Sequence, residues 1–267
     1  MANIADRGAR KVASSAPLRT AARAGYAVNG IVHTLIGVTA ISVAVGPGGE
    51  ADQSGALGEL AAAPGGRLLL WVIAIALFAL ALWQALHALL IRDVNSKRRW
   101  AHRLGDLGKA VVHVFVGVTA LTFARGASSS AVASSQSFSA RILSMSGGVA
   151  LLILIGIGIF GVGVAMIVRG ISRRFLKRIT VPRGSLGRFV TAVGVIGYSA
   201  EGIALTIVGI LFWVAAATLD PTRASGLDGA LRALVRVPFG EFILVVIGAG
   251  FIAYGLYSEF RARYARL

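Results

Sequence analysis

An all-α polytopic membrane protein, with six transmembrane helices arranged as three parallel helix-hairpin repeats about a pseudo-threefold axis, is the architecture this sequence predicts. Three observations carry the prediction: a composition too apolar for one soluble core, six long apolar runs, and one two-run pattern that recurs along the chain.

The 267 residues are 56% hydrophobic and only 14% charged, more apolar surface than a soluble domain of this length buries. A hydrocarbon core about 30 Å thick needs roughly 20 apolar residues per helix. The first run of that kind is Ala27 to Val45, which contains Asn29 and His33, and the second is Leu68 to Ile91. The third, Ala110 to Ala124, is too short alone, so a spanning helix must recruit the preceding "HRLGDLGK" and draw Asp106 and Lys109 to or below the membrane surface. Gly148 to Val168 is the fourth, Val190 to Ala217 with Glu201 as its only charged residue the fifth, and Phe239 to Tyr257 the sixth. Residues 1–24 read as a basic tail without the apolar core of a signal peptide. The repeats then occupy 25–93, 102–170 and 188–260. The chain has no cysteine, which removes disulfides, thiolate metal sites and cysteine nucleophiles together.

Charge sets the expected orientation. Twenty-one of the basic side chains fall in the tail, in the Arg92 to Lys109 and Arg169 to Arg188 stretches and from Arg261 on, against six on the other side: Arg67, Arg125, Arg141, Arg223, Arg232 and Arg236. The positive-inside rule places both termini in the cytoplasm. The same distribution accounts for the formal net charge of +16. Basic residues beside spans attract anionic lipids, and no nucleic-acid motif accompanies them, so the expected partner is the lipid bilayer and not nucleic acid. Whether a protein partner or a second copy joins it is left open.

Three segments align without gaps: "GYAVNGIVHTLIGVTA" from Gly25, "GDLGKAVVHVFVGVTA" from Gly105 and "GYSAEGIALTIVGILF" from Gly197. The second runs align from Pro64, Ser146 and Pro238, and short segments around Leu57, Ile142 and Leu231 precede them as amphipathic turns or helices. Each unit has an even number of spans, so successive units enter the membrane in the same direction and matching residues share a depth. Asn29, Lys109 and Glu201 form one layer, about 22 Å from the outer end of the fifth span and so in its cytoplasmic third. His33 and His113 lie four residues deeper, and Gly37, Gly117 and Gly209 four deeper again. The polar and glycine stripes favour the first, third and fifth spans as the inner ones.

This unit resembles the bacterial, largely actinobacterial membrane family called domain of unknown function 1206. The resemblance rests on Arg23, Gly25, Tyr26, Gly30 and Gly37 with Pro64 and Gly66 in the first copy, and on Gly197, Tyr198, Gly202, Gly209, Pro238 and Gly240 in the third. The middle copy departs, with Asp106 for Tyr, Ala110 for Gly and Ser146 for Pro. The resemblance implies six helices and brings no known activity.

The candidate site is therefore the polar layer of Glu201, Lys109, Asn29, His33, His113 and Asp106. An intramembrane carboxylate ordinarily faces a bundle interior and a partner, which points to an ion pair of Glu201 with Lys109 beside a polar cytoplasmic-half cavity. The blander alternative pairs Lys109 with Asp106 at i, i+3 and leaves Glu201 at the headgroups or protonated. His33 and His113 suit helix packing or a proton or solute pathway, and a bis-His haem is a remote alternative. Gly30, Gly37, Gly117, Gly202 and Gly209 suit close helix contact. No hydrolase, P-loop or metalloprotease pattern occurs, so no catalytic residue, metal ligand or cofactor is expected. Two functions stand: a small transporter or channel, and a non-enzymatic scaffold or accessory subunit.

Overall fold

The computed structural model describes residues 16–46, 50–90, 96–235 and 237–265. Nine α-helices occur among them: α1 (Ala16–Val45), α2 (Gln53–Ala62), α3 (Gly66–Leu90), α4 (Ser96–Ala124), α5 (Ala131–Leu143), α6 (Gly148–Ile171), α7 (Gly184–Thr218), α8 (Gly226–Val235) and α9 (Gly240–Tyr264). Six of these, α1, α3, α4, α6, α7 and α9, are long and apolar enough to cross a membrane. The third candidate span runs from His102 to Ala124 and so includes the "HRLGDLGK" stretch. Helix α1 starts at Ala16, so the latter part of the stretch read as a tail is helical, while residues 1–15 and Arg92 lie outside the described residues.

The same turn leads from each short helix into the second span of its copy. The amides of Gly66, Gly148 and Gly240 donate to the carbonyls of Ala63, Met145 and Val237, each at 2.9 Å. A Cβ on any of these glycines would collide with the carbonyl oxygen of Leu60, Ile142 or Leu234, respectively. The preceding residue takes positive φ: Gly65, Gly147 and, in the third copy, Phe239 at 60°. A left-handed conformation costs an L-residue about 1 kcal/mol or more, and Phe239 is 85% exposed, so it gains little burial in return. Phe239→Gly is therefore expected to raise stability by up to about 1 kcal/mol, read as a higher midpoint in thermal unfolding of the detergent-purified protein.

The chain forms two compact units. The first comprises described residues 16–29, 59–128 and 258–265, and so holds α3, α4, the start of α1 and the end of α9. Helices α3 and α4 pack along Ala74, Ala81 and Ala110, all buried. One turn-pair further on, a Cβ on Gly117 would meet only the ring edge of Phe78, at 3.0 Å. Ala22, Tyr26 and Leu80 form a small core, with Trp83 packed on it.

The second unit comprises described residues 30–58 and 129–257. Here the helices meet through glycine pairs two turns apart. A Cβ on Gly202 (α7) would lie 2.6 Å from the Gly163 carbonyl oxygen (α6), and one on Gly163 would lie 2.7 Å from that of Gly202. Gly209 and Gly156 repeat the crossing at 2.9 and 3.0 Å. The α1–α9 seam is built the same way: a Cβ on Gly255 would lie 2.6 Å from the Gly30 carbonyl oxygen, and one on Gly248 would lie 2.8 Å from that of Gly37. Seven-residue spacing returns a residue to the same helix face, and the missing side chains let backbones touch. By repeat position the three seams are equivalent. Each joins the first span of one copy to the second span of the preceding copy, the third copy preceding the first.

The short helices of the second unit close on one another. The Ala51 amide donates to Asp228 Oδ1 at 2.7 Å and the Ala131 amide to Ser54 Oγ at 2.9 Å. Gln136 Nε2 donates to the Thr222 carbonyl at 3.1 Å. The segments between the spans of all three copies are thus linked pairwise. Asp52 caps α2 by accepting from the amides of Ser54 and Gly55 at 2.8 and 3.0 Å, a side-chain substitute for missing helical partners. Asp220 braces the turn at Thr222, whose hydroxyl and then amide hydrogen bonds hold its carboxyl below the ordinary carboxylate pKa. Beneath these segments Ile142, Leu152, Val208, Phe212 and Ala230 form an apolar core.

Burial does not sort the spans as the stripes suggest. The sixth span, α9, has the largest buried share, 56%, and the third, in α4, has 22%. The reason is in the residues: α9 carries Gly248, Gly250 and Gly255 with the buried Phe251 and Tyr257, whereas Val111, Val112, Val114, Phe115 and Val118 of α4 are exposed. The even-numbered spans also present small-residue faces, so the first, third and fifth are not distinguished as the inner set.

Candidate polar site

Glu201 lies midway along α7, immediately before the seam glycine Gly202. Its observed partner is His33 of α1: Nε2 of the imidazole is 3.3 Å from Oε1 of the carboxylate. Both side chains are largely buried, 9% and 18% exposed. The second carboxylate oxygen, Oε2, is buried and has no hydrogen-bond partner among the described residues. Aromatic rings of α9 flank the imidazole, with Tyr254 at 4.8 Å and Phe251 at 6.1 Å between ring centroids. Tyr254 in turn packs edge-on against Tyr198, and Tyr198 stacks on Phe175. The pair is held by glycine: a Cβ on Gly197 would lie 2.5 Å from the Tyr254 Cα, and the Gly30 and Gly255 crossing sits one turn from His33.

A buried ionisable group is expensive to leave uncompensated. One imidazole nitrogen and one carboxylate oxygen at hydrogen-bond distance can share a single proton. The orphaned Oε2 is a second acceptor with nothing donating to it.

The remaining layer residues lie in the first unit. Lys109 Nζ donates to Asp106 Oδ1 at 2.7 Å, one helical turn away. Asp106 Oδ2 accepts from His87 Nδ1 at 2.9 Å, and its side chain is 6% exposed. His113 Nδ1 lies 2.6 Å from the Lys109 carbonyl oxygen on its own helix; since a carbonyl only accepts, that nitrogen carries the proton. Asn29 Nδ2 reaches Ser258 Oγ at 3.4 Å. The observed partners are thus His33 for Glu201, and Asp106 for Lys109.

His87 joins this group although the sequence analysis did not nominate it. A signal was present: it occupies the repeat position held by Arg169 and Arg261 in the other copies, and Asp106 occupies that of Tyr26 and Tyr198. Arg261 Nη2 donates to the Tyr26 hydroxyl at 3.0 Å, with its guanidinium 4.1 Å from the ring centroid. The two exceptional residues of the middle seam therefore sit at partnered positions.

The chain is similar to the uncharacterized protein YxxB of Bacillus subtilis (strain 168), with 32% identity over 251 residues that cover 92% of this chain and 90% of that protein. No solved structure matches. The profile of the family described as Domain of Unknown Function (DUF1206) matches three times, over 24–90, 104–173 and 196–265. Each match holds one pair of candidate spans, α1 with α3, α4 with α6 and α7 with α9: the chain belongs to the DUF1206 family and consists of three tandem copies of its unit.

Proposed function

We propose that this protein is a small transporter or channel of the bacterial cytoplasmic membrane, without enzymatic activity, in which the His33–Glu201 pair carries a proton or small cation through the apolar layer. The observation that supports this reading is the buried Glu201 carboxylate with one oxygen on His33 and the other unpartnered. A buried carboxylate used for packing alone carries a desolvation penalty that an apolar pair of similar size does not. Asn29, Lys109 and His113 lie in the first unit, where Asp106 holds Lys109. Anionic lipids at the basic ends of the spans are the expected partners.

Purified protein reconstituted in liposomes tests the proposal under pH, sodium and potassium gradients, read with an internal pH dye and ion electrodes. Dissipation of one gradient above that of protein-free vesicles supports it; no flux under any gradient refutes it. The glycine seams favour the second reading, a rigid scaffold or accessory subunit, and recovery of a stoichiometric partner together with silent vesicles would establish that reading instead.

Orientation has its own check. Both termini and the loops following the second and fourth spans belong on the cytoplasmic side under the positive-inside rule. Cysteines introduced singly at Ser96 and Ser129 into this cysteine-free chain are expected to react from opposite sides with an impermeant thiol reagent. Reaction of both from outside intact cells would contradict the topology.

A further inference from the structure

The stretch from Arg169 to Arg188, which joins α6 to α7, holds seven cations and no carboxylate in twenty residues. The other basic stretches each include an acid: Asp6 in the tail, Asp93 and Asp106 in the approach to the third span, and Glu259 beside Arg261. The charge is not balanced from elsewhere in the same unit. Apart from Glu201, its described carboxylates, Glu50, Asp52, Asp220, Asp228 and Glu241, stand in or beside the short segments that are linked to one another past the far end of α7. That helix has 35 residues and is about 52 Å long. Glu201 lies on His33, about 20 Å along the axis from Arg188.

The loop is fixed from beneath by its apolar members. Phe175 and Ile179 are 1% and 0% exposed. The Phe175 ring stacks on Tyr198 at 5.2 Å and meets Tyr257 edge-on at 5.0 Å. It occupies space left by a missing side chain, since a Cβ on Gly194 would lie 2.5 Å from the Phe175 Cζ. With these anchors buried, Arg173, Arg174 and Lys177 are left exposed on and beside the 3-10 turn Arg174–Arg178. The exposed apolar residues Ile171, Val181 and Leu186 lie among them in sequence. Arg173 itself takes a φ of 54°, so a cation stands where glycine would be the relaxed choice. The ion pairs seen in this unit, Glu201 with His33, Asp220 with Arg223 and Asp228 with Arg232, lie elsewhere.

We propose that the Arg169–Arg188 loop is a docking surface for anionic phospholipid headgroups, in which Arg173, Arg174 and Lys177 bind lipid phosphate while Ile171 and Leu186 meet the acyl boundary. Cations interleaved with apolar side chains are the composition that the headgroup layer selects. The length of α7 agrees: about 52 Å exceeds both the hydrocarbon core of about 30 Å and the whole bilayer of about 40–45 Å, so the first turn of the helix reaches the headgroups. The proposal rests on the membrane reading given above, whose lipid partner it localises, and needs no flux through His33 and Glu201.

The test uses the full chain in detergent micelles, mixed with equal amounts of phosphatidylglycerol and phosphatidylcholine, with the lipids that stay bound counted by native mass spectrometry. Wild-type protein is expected to retain phosphatidylglycerol selectively. The triple variant Arg173→Gln/Arg174→Gln/Lys177→Gln is expected to weaken that retention at least about tenfold, whereas Arg67→Gln/Arg125→Gln/Arg141→Gln, which removes the same charge elsewhere, changes it less than about threefold. Arg173→Gly separates binding from folding. It relieves the left-handed backbone, so its thermal midpoint is expected to hold or rise while phosphatidylglycerol retention falls. No preference for phosphatidylglycerol in the wild type, equal losses in the two triple variants, retention unchanged by Arg173→Gly, or full displacement of the lipid by inorganic phosphate at the same concentration would each overturn the proposal. Binding is read without an ion gradient, so silent vesicles in the flux assay and lost lipid selectivity are separate results.

Discussion

Gly202→Ala is expected to destabilise the protein strongly. The added carbon would lie 2.6 Å from the Gly163 carbonyl oxygen, 2.7 Å from Ile167 Cγ1 and 2.9 Å from the Ile167 amide nitrogen. Two of those atoms are backbone, so relief requires α6 to move away from α7, and that separation also opens the Gly209–Gly156 crossing two turns along. Overpacking of this kind costs about 1–3 kcal/mol and more when backbone must shift; Gly202→Val should leave little folded protein in detergent. The same helices supply controls. Cβ atoms on Gly158 and Gly161 meet nothing within 4 Å, so alanine there is neutral or stabilising by up to about 1 kcal/mol through helix propensity. Gly117→Ala falls between, because a ring edge can rotate where a carbonyl cannot. Thermal unfolding midpoints in one detergent rank the series, and a Gly158→Ala as damaging as Gly202→Ala would contradict the seam geometry.

The second large effect concerns the buried pair. Glu201→Leu leaves the His33 imidazole among Phe251 and Tyr254 without its carboxylate, and His33→Leu leaves a carboxylate with neither oxygen paired among the described residues. Stranding a buried polar partner costs about 1–3 kcal/mol, more when it is charged. The double variant replaces both groups by apolar side chains, which is close to neutral when shapes are kept. We therefore expect each single variant to be less stable than the double, with a coupling of at least about 1 kcal/mol in the thermodynamic cycle. Additive losses would show that the 3.3 Å contact contributes nothing.

Much of this was legible before any coordinates. Five spans follow from the length of their apolar runs, and the third follows once "HRLGDLGK" is admitted, because no shorter helix crosses a bilayer. The turn into each second span was visible as a recurring glycine, although its cause, a carbonyl in the space of a Cβ, was not. The seam glycines were also visible, but not their partners. A repeat fixes the depth of a residue and leaves its azimuth open, so nothing in the spacing says that Gly202 meets Gly163 or that Gly37 meets Gly248. The polar layer illustrates the same limit. Equal depth nominates Lys109 for Glu201, while the observed bonds are the local one to Asp106 and the interhelical one to His33. The links among the short segments, such as Ala51 to Asp228, had no signal because polar residues in ten-residue helices carry no periodicity that names a distant partner.

The account's central claim, that charge crosses the apolar layer at Glu201, is tested most directly by proton flux in vesicles. Wild-type protein and Glu201→Gln, reconstituted at equal density and shown by thermal unfolding to be folded, are compared under an imposed pH gradient with the membrane potential clamped. Glutamine keeps the size and the hydrogen bond to His33 but cannot bind or release a proton. The account predicts that wild-type vesicles dissipate the gradient at least about tenfold faster than Glu201→Gln vesicles, which match protein-free ones, as expected when an essential proton carrier is removed. Equal rates in the wild type and a folded Glu201→Gln variant would contradict it.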